Sequence, residues 1–103
     1  MNGQNPTFIQ TMKIWQVLLL GEGFQVEGAK SNCEITGFVE AESVEAAIEK
    51  ACAIATRAHP ELAQVAGPFP RPVVNADEVE ELGATFPYSV DVDQVELHWV
   101  AVS

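Results

Sequence analysis

Positive charge is what this sequence has least of. Five Lys and Arg stand against fifteen Asp and Glu, for a formal charge of −10. Binding a phosphate backbone requires clustered Lys and Arg that displace counterions, so nucleic acid is excluded as an expected partner. Anionic membrane surfaces are excluded on the same ground. Cysteine is nearly absent: Cys33 and Cys52 are too few for a disulfide framework and too far apart for a CxxC motif. No apolar run approaches the ~20 residues needed to span a bilayer. Residues 17–20 (VLLL) are too short for the apolar region of a secretory signal, and neither a basic approach nor a cleavage site accompanies them. A cytoplasmic location is the expectation. Histidine is also scarce. His59 and His98 fit no HxxxH, HExxH or Cys/His spacing, so neither a metal site nor a cofactor is expected.

What is present is a core. An apolar share of 48% over 103 residues suits one packed domain. Residues 1–12 are mostly polar, with Phe8 and Ile9 as the main anchors, and read as an N-terminal extension to a single domain over 13–103.

Residues 13–20 (KIWQVLLL) read as a strand apolar on both sides, with Trp15, Val17 and Leu19 alternating against Ile14, Leu18 and Leu20. Residues 21–32 (GEGFQVEGAKSN) supply turn chemistry in their three glycines and in Ser31 and Asn32. An antiparallel partner is expected at 33–41, with Ile35, Val39 and Ala41 on one face and Thr36, Phe38 and Glu40 on the other. At Ser43 the apolar period changes from two to about 3.6. Val44, Ala47, Ile48, Ala51, Cys52, Ala55 and Ala58 form one helical stripe, Ser43 suits the N-cap, and Pro60 stops the helix after Ala58. A further turn or two is expected from Pro60 to a stop at Gly67, and residues 67–72 (GPFPRP) read as a stiff connector. Residues 73–82 (VVNADEVEEL) fit either a capped helix or a charged edge strand, and the strand is preferred. The last segment alternates through Val95, Leu97, Trp99 and Ala101 against Glu96, His98, Val100 and Val102.

The expected fold is α+β: an antiparallel sheet of three or four strands, in β-β-α-β-β order, with one main helix packed on one face. A single helix covers one face only. The other still carries apolar side chains, to be covered either by an ordered N-terminal extension or by a second copy; a homodimer, stacked sheet to sheet or joined edge to edge, is the economical solution.

Candidate chemistry is thin. Glu40, Glu42, Glu45 and Glu49 bracket the start of the helix, and nothing predicts the burial that would raise a carboxyl pKa, so they read as a solvated face. The GEG at 21–23 lacks the lysine and following helix of a phosphate loop. No catalytic residue is assigned. The aromatic residues Trp15, Phe38 and Trp99, with His98, are the candidate ligand-binding set, in a pocket between sheet and helix.

The pattern GEGF (21–24), GFVEAES (37–43), the alanine-rich helix and HPEL (59–62) resembles a family of short bacterial α+β proteins of unassigned activity. In these a hairpin ending in FVEA feeds a helix and a later acidic strand. The resemblance covers roughly residues 13–82 and implies the fold alone. A looser similarity is to HicB-like antitoxin domains, in which a hairpin runs into a helix rich in Glu and Ala; this chain shows no evident added DNA-binding segment. The function expected is a non-catalytic, dimeric interaction module whose acidic surface engages a basic protein, immunity- or antitoxin-like in its most concrete form. The alternative is a small-molecule binder or small enzyme using the Trp15–Phe38–His98–Trp99 set.

Overall fold

The computed structural model describes residues 12–82 and 91–102. Apart from Met12, the expected N-terminal extension lies outside the described residues. The elements run β1 (Lys13–Val26), β2 (Ala29–Ala41), α1 (Val44–Ala58), a 3-10 helix (Pro60–Ala66), β3 (Val73–Leu82) and β4 (Gln94–Ala101). The four strands form one antiparallel sheet in the order β3-β1-β2-β4. This is an α+β architecture, with the short 3-10 helix joining the one main helix expected.

The hairpin is longer than turn chemistry alone implied. Its reversal lies at Glu27 and Gly28, with φ of 53° and 80°, the left-handed pair that a two-residue type I′ turn requires. Ser31 and Asn32 belong to β2, not to a turn, and Gly21 sits inside β1. Gly21 is glycine for space: a Cβ there would stand 2.6 Å from Cys33 Sγ and 2.8 Å from the Phe24 ring. Gly23, at φ 89°, lies where the register slips between Gly21 and Phe24. That bulge transfers Phe24 to the same side as Trp15, Val17 and Leu19, where it is fully buried.

The core lies between the sheet and α1. Val17, Leu19, Phe24, Ile35 and Val39 are its fully buried large residues, and Ala47, Ala51 and Ala55 complete it from the helix. Alanine at these positions lets the helix approach the sheet closely. Val44 and Ala58, at the ends of the expected stripe, are exposed. Ser43 is the N-cap as expected, its Oγ accepting from the Ala46 N–H at 3.1 Å. The 3-10 helix buries Leu62 in the same core. Its Gln64 amide bonds the backbone of Gln25 twice, accepting from the N–H at 3.0 Å and donating to the carbonyl at 2.9 Å.

Residues 73–82 are a strand, at the sheet edge. Its register against β1 shifts between Ala76 and Glu78, leaving Asp77 as the extra residue of a bulge. A bulge and a run of carboxylates are both devices that deter edge-to-edge pairing.

Candidate functional site

Strand alternation decides where each side chain can work. Trp15 and Trp99 share the helix side of the sheet, Trp15 with its indole N–H donating to the Ala41 carbonyl at 2.9 Å. Trp99 meets Phe24 edge-to-face, with ring centroids 5.5 Å apart. Phe38 and His98 point from the opposite side, because each occupies the alternate position along its strand. The four residues therefore form two groups separated by the sheet. The space between sheet and helices does hold an apolar cavity of about 240 Å³, lined by Ile35, Cys52, Thr56, Leu62, Val65 and Val74. None of the four lines it, and it is smaller than the ~300–1,000 Å³ of usual ligand pockets.

The two thiols flank this interior. Burial raises the Cys33 pKa; a hydrogen bond with the Gly21 backbone opposes the rise and neighbouring Cys52 adds to it. Burial likewise raises Cys52. The raised pKa favours the protonated thiol at both, the reverse of what a nucleophile needs.

The face opposite α1 is different. Ile14, Leu18, Leu20 and Phe38 are half-buried there, the apolar side chains that the alternation places on the second side. Gln16, Leu18, Thr36 and Phe38 form the floor of an open groove of about 570 Å³. Glu78 and Glu80 of β3 stand along one side, and Asp91, Gln94 and Glu96 along the other. Four carboxylates thus border an amphipathic floor, and among the described residues no Lys or Arg lines the groove. Among the described residues, no three His, Cys, Asp or Glu converge closely enough to hold a metal ion. The carboxylates are spread along a trough, a distribution that suits an extended cationic segment better than a point charge.

The glutamates of the strand–helix junction play other parts. Glu42, Glu45 and Glu49 are exposed. Glu40 acts through its backbone: its N–H donates to Asp93 Oδ1 at 3.0 Å, and its carbonyl accepts from Lys50 Nζ at 2.8 Å. Lys50 also pairs with Asp93 at 3.0 Å. Partial burial would raise the Asp93 pKa, but the Glu40 N–H and the Lys50 ammonium together outweigh it and lower it. Asp93 holds a left-handed φ of 61°, which Asp tolerates better than most residues. Its own N–H donates to the Phe38 carbonyl at 2.7 Å, so this junction fixes the point where β4 joins the groove wall. Sequence reasoning missed Lys50 and Asp93, since their partners are far away in the chain.

No family model matches the chain, and no match is found among the curated proteins or the solved structures. Among the described residues no helix is long and apolar enough to cross a membrane.

Proposed function

We propose that this chain is a non-catalytic interaction module that works as a homodimer in the cytoplasm and receives a basic segment of a partner protein on its open sheet face. Neutralisation of a basic protein, as immunity proteins and antitoxins achieve it, is the most concrete form of this reading. The observation that carries it is the groove: carboxylates from β3, β4 and the β4 approach border a floor with apolar patches, and among the described residues no cation lines it. Lys or Arg side chains would meet the acids, while their methylene stems would lie along Leu18. Paired fields of this kind speed encounter and fix orientation more than they add raw affinity.

The test is binding of a fluorescent Lys/Arg-rich peptide followed by anisotropy, with an Asp/Glu-rich peptide as control. Saturable binding of the basic peptide alone is expected, weakened about tenfold or more by the double substitution E78K/E80K and lost as salt rises. Equal binding to wild type and E78K/E80K would move the site elsewhere. No binding at low salt would end the reading.

The small-molecule alternative draws its support from the 240 Å³ cavity beneath the helices. Its apolar lining suits a small hydrophobic ligand, and E78K/E80K would leave that binding unchanged.

A further inference from the structure

A homodimer needs a surface, and charge removes two of the three that the sheet offers. Stacking two groove faces about a twofold axis would bring Glu78, Glu80, Asp91 and Glu96 against the same four residues of the partner, with no cation among the described lining residues to separate them. Pairing β3 with its own copy would align Asp77, Glu78, Glu80 and Glu81 with like charges across a bulged edge. Joining β3 of one copy to β4 of the next would give a head-to-tail contact that does not close into a dimer. The outer edge of β4 remains. Its sequence, QVELHWVA, carries one acid, Glu96, and one histidine, His98.

The direction of its backbone groups can be read from the inner edge. The Val102 N–H donates to the Lys30 carbonyl at 3.0 Å, so even-numbered residues of β4 face β2. Val95, Leu97, Trp99 and Ala101 therefore turn their N–H and C=O groups outward, and among the described residues no strand meets them. Antiparallel self-pairing about a twofold axis must match outward groups with outward groups, which, with five or more residues of β4 paired, allows the axis at Glu96, Leu97, His98 or Trp99. An axis at Trp99 pairs only residues 97–101 and sets His98 against Val100, with no charged partner. An axis at Glu96 sets that carboxylate against itself. An axis at His98 sets the imidazole against itself and Glu96 against Val100. An axis at Leu97 sets Glu96 against the partner's His98, twice by symmetry, in the non-hydrogen-bonded positions where facing side chains lie closest. It also sets Gln94 against the partner's Val100; Val100 is 53% exposed in the single chain.

We propose that a second copy of this chain pairs with the outer edge of β4, antiparallel and in the register centred on Leu97, so that one sheet runs through both protomers. This rests on the dimeric reading above and gives it a geometry. Glu96 and His98 are 80% and 66% exposed and meet loosely at 3.7 Å within one chain, so both remain available to the partner. Glu34 of β2 stands opposite His98 on the same face and adds a second carboxylate beside the imidazole. Continuing the sheet also extends the acidic face across two protomers and leaves both grooves open.

Sedimentation equilibrium on the full chain tests this through a charge swap, with circular dichroism to confirm folding. E96K places Lys opposite the partner's His98, and H98E places Glu opposite the partner's Glu96. Each single substitution is expected to weaken the dimer about tenfold or more, and E96K/H98E, which sets Lys against the partner's Glu across the edge, is expected to recover it to within about threefold. E78K/E80K, remote from this edge, should leave it unchanged. A wild-type dimer indifferent to the β4 singles, or singles that the double does not rescue, would overturn the register while leaving dimerisation standing. A wild type that is monomeric at high micromolar concentration would overturn both.

Discussion

Lys50 of α1 reaches across the strand–helix junction to Asp93 at 3.0 Å, and the same ammonium donates to the Glu40 carbonyl at 2.8 Å. Two side chains thus tie the helix, the end of β2 and the start of β4 together. The pair is partly exposed, so its Coulomb attraction is screened, and the hydrogen bond from the Glu40 N–H to Asp93 adds a directional contribution.

Replacing Asp93 should therefore loosen β4 first. D93A is expected to cost about 1–2 kcal/mol in urea unfolding, combining the lost bonds with an alanine forced into a left-handed backbone. D93N keeps an acceptor for the Glu40 N–H and tolerates that backbone, so it should cost less. The Asp93 pKa is lowered by folding. The stability it brings is then fully present above the unfolded value of ~3.9 and is lost as pH falls through the lower folded value. Unfolding measured against pH should show a shallower acid limb in D93N than in wild type.

Two glycines of the hairpin should fail for different reasons. G21A drives a methyl group into Cys33 and Phe24, both buried, and is expected to cost about 1–3 kcal/mol by overpacking. G28A meets no atom within 4 Å, yet its φ of 80° should cost about 1–2 kcal/mol. G28N should recover part of that loss, because Asn tolerates the left-handed region, whereas G21N should be worse than G21A. Denaturant midpoints separate the four variants.

Phe24 is fully buried and meets Trp99 edge-to-face. F24A is expected to destabilise by about 3–5 kcal/mol. F24L should cost less while shifting Trp99 fluorescence in the folded state, a change that loss of volume at a site remote from Trp99 would not produce.

Thiol labelling reads the interior directly. Burial raises both cysteine pKa values, and Cys33 is 2% exposed. In the native protein at mildly alkaline pH, Cys33 should react with an aromatic disulfide reagent only at the rate of unfolding. The half-buried Cys52 should react sooner. Rapid labelling of Cys33 without unfolding would contradict its placement against Gly21.

Much of the fold is legible in the residues, and the reason differs by element. The change of period at Ser43 is strong because one face of α1 is apolar over four turns, and the faces of β2 and β4 follow from alternation around Ile35 and Leu97. The hairpin tip is not legible, because Glu-Gly is a weaker turn signal than the GEG before it; the space that Gly21 must leave for Cys33 appears only once β1 and β2 are paired. Phe24 changes side through a bulge that no alternation pattern reveals. The groove is less legible still. Its acids lie on β3 and on or near β4, the two outer strands, and they face one trough only because β1 and β2 are the inner pair. The parting of Trp99 from His98 by that same sheet, in contrast, is already contained in the alternation of β4.

The most direct measurement is a titration of the ¹⁵N-labelled protein with a Lys/Arg-rich peptide, followed by amide shifts. The expected result is a set of salt-sensitive shifts confined to the open face: Gln16, Leu18, Thr36, Phe38, Glu78, Glu80 and Glu96. Shifts confined to α1, or none at low salt, would contradict an acidic sheet face built to receive a basic partner.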